Sequence, residues 1–321
     1  MGGSLVNLQR RRLRPMAIAL GRHERRTNRF WSAFALPGVG WLVAFFVVSV
    51  YAVAAVAFGS INPLLRTAEP EWNPLQWDTT AFTDMLDRVV NGSLRQVFLR
   101  TFAFVGMALA GCIAIGYPVA YYVARKAPAK RRGLLLGLLV LPFWISYLMR
   151  MLAWTNLLQP DGLVNRVLRW ANLMDEPRVW LDGSWTTVVW GLTYGYVPFF
   201  ILPLYSTLER IDGRLIEAGR DLGASARQTF MRVTLPLSVP GLMAASVVTI
   251  LPMFGDYYTN SYLTSGSPKV TMVGNQVEDY LRGSGQPNRG AALVLILMAV
   301  LVVLMVYYLV TTLRQQRQAE R

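Results

Sequence analysis

The sequence predicts an all-α membrane protein of six transmembrane helices with both termini in the cytoplasm, and three observations carry that reading. Six apolar stretches run about 36–58, 98–124, 134–158, 187–208, 239–263 and 290–313, each near the ~20 residues a helix needs to cross a bilayer. The short segments of alternating polarity that build a membrane β-barrel are absent. Basic residues are segregated: 21 of the 32 Lys and Arg lie in the N-terminal tail, residues 125–132, the connection after the fourth stretch and the C-terminal tail. Only 6 of the 18 acidic residues accompany them. The positive-inside rule puts those four segments in the cytoplasm. A net charge of +14 invites a nucleic-acid binder, but cations in blocks between apolar spans exclude that reading.

Residues 1–35 form a basic tail, with Arg10, Arg11, Arg12, Arg14, Arg22, Arg25, Arg26 and Arg29, suited to an anionic cytoplasmic leaflet. His23 lies within it with no second metal-ligand type nearby. The first apolar stretch is read as an uncleaved span; the small residues near Ala52 and Ala57 leave a cleaved signal peptide as the alternative. Residues 36–97 are that span and its outer loop, where Trp72 and Trp77 are expected as interfacial anchors beside Asp78, Asp84 and Asp87. Residues 98–313 make the remaining transmembrane domain, including a cytoplasmic connection at 209–236, and 314–321 are a cytoplasmic tail. Pro118, Pro142, Pro198, Pro203, Pro240 and Pro252 sit inside spans, which tolerate proline when neighbours satisfy the freed carbonyls. The segment near 159–186, with Trp170, Trp180 and Trp185, fits a short surface or re-entrant helix. The segment near 264–289, dense in Gly and Pro, is expected to be an irregular loop. The single cysteine, Cys112, lies in an apolar run and reads as a small buried residue.

The connection 209–236 reads as two short helices around a sharp turn. Asp212 is placed to cap the first, and Gly223 suits the left-handed position that ends it. Ser225 and Gln228 offer a capping box for the second, and Leu235-Pro236 is expected to stop it. Small residues at Ala218, Gly219 and Gly223 would let a partner approach the backbone closely.

This stretch resembles the EAA loop of ABC-importer permeases: Glu-Ala-Ala, three residues, Gly, nine residues, Ile-x-Leu-Pro. Glu217, Ala218, Gly223, Leu235 and Pro236 match in register, Gly219 replaces the second Ala, and Val233 replaces the Ile. The resemblance implies a type I importer permease whose Glu217, Ala218, Gly219, Asp221, Leu222, Gly223, Leu235 and Pro236 couple it to a cytoplasmic ATPase. Further stretches resemble the spermidine/putrescine branch. They are Leu141-Pro142-Phe143-Trp144 with Arg150, Gly191-Leu192-Thr193-Tyr194, Pro198-Phe199, Pro203-Leu204-Tyr205-Ser206, Asp221-Leu222-Gly223-Ala224-Ser225 and Gln228-Thr229-Phe230. The likeness covers roughly 95–310. It implies a second related permease, two ATPase subunits and an extracytoplasmic binding protein, with ATP and Mg held by the ATPase subunits and no cofactor on this chain. Polyamine cargo follows from the branch; an amino-acid derivative, an opine, a metal chelate, or a secondary transporter stay open.

No catalytic constellation stands out. The lysines are Lys126, Lys130 and Lys269, none after a glycine, so no Walker A loop is present. Polar groups inside spans are costly against lipid and mark a candidate path. Asp256, between Gly255 and Tyr257, would attract an organic cation through its charge, with tyrosines adding cation–π attraction. The alternative is that Asp256 sits at the outer interface or pairs with Arg150, itself expected to snorkel or form an ion pair. Tyr257, Asn260, Trp144, Tyr147, Trp154, Tyr194 and Tyr196 are candidates for lining a cavity, with helix packing the competing role for each. Asn260 and Thr259 have a further alternative, satisfying backbone freed near Pro252.

Overall fold

The computed structural model describes the backbone of residues 35–319 and the side chains of residues 35–310. The arginine-rich tail with His23, and the last two residues of the C-terminal tail, lie outside the described residues. Among the described residues, five helical stretches are long and apolar enough to cross a membrane: Ala35–Ala57 (α1), Leu94–Lys126, Trp185–Arg210, Ala226–Phe254 and Pro287–Val310. In chain order after α1 come a two-stranded antiparallel pair, β1 (Ser60–Ile61) and β2 (Ala68–Glu69), and α2 (Thr80–Val90). Then follow α3 (Leu94–Tyr121), α4 (Ala129–Val140), α5 (Tyr147–Leu157) and α6 (Leu163–Trp170). The second half holds α7 (Trp185–Arg210), α8 (Gly213–Asp221), α9 (Ala226–Thr229), α10 (Leu235–Phe254), α11 (Tyr258–Leu263), α12 (Val273–Glu278) and α13 (Pro287–Ala319).

The core is a sandwich of α3, α7 and α10. Leu192, Phe200, Leu204 and Leu208 of α7 are fully buried, packed toward Ala108 and Cys112 of α3 and Ala245 and Met253 of α10. Small residues set these distances, as expected where close backbone approach replaces the hydrophobic effect. A Cβ on Gly241 of α10 would overlap Oγ1 and Cβ of Thr207 on α7. Across the α3–α10 face, the Tyr117 hydroxyl meets Ser238 Oγ at 2.8 Å. By contrast α1 is exposed along most of its length and attaches at its end, where Phe58 stacks on Trp77 at 4.6 Å and the Tyr51 hydroxyl donates to the Trp72 carbonyl. Trp72 and Trp77 therefore pin the outer loop to the end of α1.

Three sequence expectations need correction. The stretch 134–158 is not one helix: α4, its closing 3₁₀ turn and α5 meet at 86°. Pro142 starts the 3₁₀ turn, and Ser146 restarts the chain by accepting from the Met149 N–H at 3.3 Å. Leu235-Pro236 does not stop the helix from Ala226, which passes through a π turn at Phe230–Thr234 straight into α10. There the Leu235 N–H donates to the Phe230 carbonyl five residues back. The wider turn makes room for the proline ring, whose missing N–H leaves no donor stranded. The segment 264–289 is mostly helical, because Asn275 supplies local caps: its Oδ1 accepts from Met272 N at 3.1 Å, and its Nδ2 donates to Tyr257 O and Ser261 Oγ at 3.1 and 2.9 Å. The short helix expected within 159–186 is α6.

Candidate functional site

Two constellations lie at opposite ends of the bundle. The first is the α8–α9 hairpin between α7 and α10. Asp212 Oδ1 accepts from the Arg214 N–H at 3.0 Å and starts α8. Gly223, at φ +83°, ends it, with the Ala224 N–H reaching the Gly219 carbonyl at 3.1 Å. The capping box is complete: Gln228 N donates to Ser225 Oγ at 3.3 Å and Ser225 N to Gln228 Oε1 at 2.8 Å. These caps satisfy the helix ends within the hairpin and leave its outward surface free. That surface carries Glu217, Ala218, Asp221, Gly223 and Leu222, the last 89% exposed.

The hairpin is seated on the bundle by Phe230. Its ring meets Tyr117 and Tyr121 of α3 edge-on, at 5.9 and 5.5 Å between centroids. Beside it, Arg125 at the end of α3 donates to the Ile211 carbonyl just before α8. Glu209 of α7 lies 3.6 Å from Arg132 of α4 and accepts from the Tyr205 hydroxyl at 2.7 Å. Leu235 is half-buried and Pro236 exposed, both at the π-to-α transition. Sequence reading missed Phe230 as a contact residue and missed the Tyr117–Ser238 tie, since neither has a local signature.

Gly219 faces inward within the hairpin. A Cβ there would meet Thr229 Cγ2 at 3.6 Å and Val233 Cγ2 at 3.8 Å, ordinary contact distances. Gly219→Ala is therefore expected to raise the stability of α8 by about 0.5–1 kcal/mol through helix propensity. Thermal unfolding of the purified protein checks this; a fall in stability would mean the hairpin packs more tightly than these distances.

The second constellation surrounds Asp256, 5% exposed, just beyond the end of α10. Its Oδ1 accepts from the Thr259 N–H at 2.9 Å, capping α11. Oδ2 accepts from Thr259 Oγ1 at 2.5 Å and from the Tyr147 hydroxyl at 2.8 Å. Tyr147 in turn stands 5.8 Å from Tyr196 and 6.3 Å from Tyr258, ring to ring. Arg150 neither snorkels nor pairs with Asp256: it is 8% exposed and in no ion pair among the described residues. Its guanidinium lies 4.8 Å from the Phe143 ring and 5.1 Å from the Tyr147 ring, with Nε lacking a hydrogen-bond partner. Thr259 serves Asp256 rather than backbone near Pro252. Asn260 donates to the Val270 carbonyl, tying α11 to the following loop.

The remaining candidates separate. Trp154 and Tyr194 join Trp190 in an aromatic cluster, with Trp154 4.3 and 5.3 Å from Trp190 and Tyr194. Tyr257 packs on Tyr258 at 4.1 Å. Trp144 is 86% exposed. Of the residues proposed for a path, the fold thus brings together Asp256, Tyr147 and Tyr196, and separately Trp154 with Tyr194.

Residues 116–318 match the family model described as binding-protein-dependent transport system inner membrane component. The spermidine/putrescine transport system permease protein PotB of Escherichia coli (strain K12) is 34% identical over 241 residues, 75% of this chain and 82% of that one. PotB of Haemophilus influenzae is 35% identical over 251 residues, 78% and 83% of the two chains. The inner membrane ABC transporter permease protein YdcU of Escherichia coli (strain K12) is 30% identical, covering 75% and 80%. Among solved structures, a bacterial ABC transporter involved in import of the acidic polysaccharide alginate superposes with a TM-score of 0.62 at 17% identity, covering 91% of this chain and 99% of that chain. The alginate transporter in complex with a pentasaccharide-bound periplasmic protein gives 0.64 at 16%, covering 88% and 93%. At such identities the likeness is one of fold.

Proposed function

Because the chain belongs to the family of binding-protein-dependent transport system inner membrane components, we propose that it is the permease subunit of an ATP-driven importer of polyamines such as spermidine and putrescine. The carrying observation is the outward-facing, fully capped α8–α9 hairpin, set between two bilayer-length helices and seated on α3 through Phe230. The named PotB relatives, similar along three quarters of the chain, support the cargo class.

In this reading α4 and α5 count together as one span, giving six, and the even number returns both termini to the hairpin's side, the cytoplasm. The N-terminal 35 residues and residues 314–321 are tails, residues 36–97 a peripheral span and outer loop, and 98–313 the core with its coupling loop at 209–236. A second permease of the same family completes the path, two ATPase subunits hold ATP and Mg, and an extracytoplasmic binding protein delivers cargo. Glu217, Ala218, Asp221, Leu222 and Gly223 form the docking surface, with Gly219 packed behind it against Thr229 and Val233. Closure of the ATPase pair pushes on the hairpin, and Phe230 with the Leu235-Pro236 transition passes the displacement to α3 and α10. Asp256 accepts the ammonium group of the cargo when the cap on α11 opens. ATP chemistry stays in the partners.

One observation favours a second reading, an importer of another small solute: both oxygens of Asp256 are already engaged by Thr259 and Tyr147. ATPase activity of the purified complex with its binding protein, titrated with spermidine, putrescine and unrelated solutes, separates the two. We expect both polyamines to stimulate hydrolysis and Asp256→Asn to lose the stimulation. Stimulation that survives Asp256→Asn leaves the residue as a helix cap only. A response to another solute and none to polyamines sinks the cargo assignment.

A further inference from the structure

Five of the ten tryptophans fall between Trp154 and Trp190, at the end of the bundle opposite the hairpin, where α7 begins. Indoles gather at the bilayer interface, with one end apolar and one wet. Trp154, Trp180 and Trp190, with Leu158, Val164 and Leu168, wall a groove of about 550 Å³ between α5, α6 and the first turns of α7. Its one charged wall is the exposed Arg178, whose guanidinium lies 4.6 Å from the Trp180 ring centroid and forms no ion pair among the described residues.

The groove is held open by Asn165, 1% exposed. Its Nδ2 donates to the carbonyls of Gln159, Pro160 and Arg178 at 3.2, 3.1 and 2.9 Å. Its Oδ1 accepts from Arg178 N at 3.3 Å and Trp180 Nε1 at 2.9 Å. One amide thus fixes the backbone of Arg178 on both sides and the indole beneath its guanidinium. On the outer face of α6, Leu163, Val167 and Trp170 are exposed at helical spacing, so the helix offers an apolar stripe alongside the groove, as interfacial helices do.

We propose that this groove holds an acyl chain of a phospholipid from the leaflet opposite the coupling hairpin, with the headgroup phosphate on Arg178. In a bilayer, phospholipid is the abundant molecule that matches apolar walls joined to a single cationic rim. A planar guanidinium stacked on an indole keeps its edge N–H groups free for phosphate oxygens. Because Asn165 pre-positions the arginine, little ordering remains for binding to bear.

The test uses the full transporter, with its partner subunits, in vesicles of phosphatidylethanolamine and phosphatidylglycerol carrying a trace of phosphatidylglycerol with a photoreactive diazirine on one acyl chain. Cross-links are expected to map to residues 154–190. Leu168→Trp, which fills the groove, is expected to reduce them about tenfold, and Arg178→Gln, at an exposed position whose backbone Asn165 holds, about threefold, with Arg178→Lys restoring part of the signal. Labelling unchanged by both Leu168→Trp and Arg178→Gln would overturn the proposal. So would the absence of lipid labelling in a complex whose 154–190 segment cross-links instead to the binding protein or the second permease.

Discussion

Gly223→Asp is expected to abolish uptake while leaving membrane insertion and folding of the chain intact. The two halves of that outcome have different physical origins. No atom lies within 4 Å of where a Cβ would stand on Gly223, so the chain itself has room for the side chain. The backbone at φ +83° costs an L-residue about 1–2 kcal/mol, and Asp is among the residues that visit this region most readily. Docking is another matter, since on the proposed coupling role the new carboxylate would stand on the exposed turn beside Leu222, where the partner binds. An uncompensated charge buried there costs about 3–5 kcal/mol, which lowers occupancy of the complex by about 100-fold or more. Co-purification of the ATPase subunit and polyamine uptake should therefore fall together, with Gly223→Asn intermediate because it keeps the backbone tolerance without the charge. Normal uptake by Gly223→Asp would remove the coupling role from this turn.

The second large effect is expected at the other kind of close approach. Gly241→Val should cut the amount of folded protein in the membrane several-fold, because its Cβ would occupy the space of Thr207 Oγ1 and Cβ. The obstacle is the root of a side chain on a packed helix, not the end of a flexible one, so α7 and α10 must separate. Overpacking of this kind typically costs about 1–3 kcal/mol. Thr207→Gly in the same chain should restore part of the loss, a coupling that independent sites do not show. Equal thermal stability of Gly241→Val and the native protein would mean that the two helices stand farther apart than this.

What could be read from the sequence was the chemistry that acts within a few residues. Asp212, Gly223, Ser225 and Gln228 were legible because a cap or a left-handed turn is decided by residues one to four positions away. Five spans were legible because bilayer thickness sets a length and apolarity that those stretches meet, while 134–158 gave no sign of its bend. Where distant partners decide, the sequence misled or was silent. Pro236 read as a stop because proline breaks an ordinary helix, yet a π turn just before it absorbs the ring. Arg150 read as half of an ion pair because a carboxylate was within plausible reach, but the rings of Phe143 and Tyr147 took its place. Asn165 drew no notice, since its partners stand up to fifteen residues away in a segment without regular pattern.

The bend between α4 and α5 bears on how the protein is made. With 12 and 11 residues, the two helices are about 18 and 16 Å long at 1.5 Å per residue, and neither alone covers the ~30 Å of hydrocarbon. The break between them closes bonds of its own, Ile145 N–H to the Pro142 carbonyl at 3.3 Å and Arg150 N–H to the Ser146 carbonyl at 3.1 Å, but holding the bent pair against the bundle takes help from elsewhere in the chain. The help is synthesised last: Tyr147 bonds to Asp256, Thr155 Oγ1 donates to the Tyr262 carbonyl at 3.2 Å, and Met151 and Leu158 are buried with Leu263. A chain ending before α11 lacks these contacts to α5. A chain truncated between α7 and α11 is therefore expected to show residues 129–157 more open to protease than in the full-length protein.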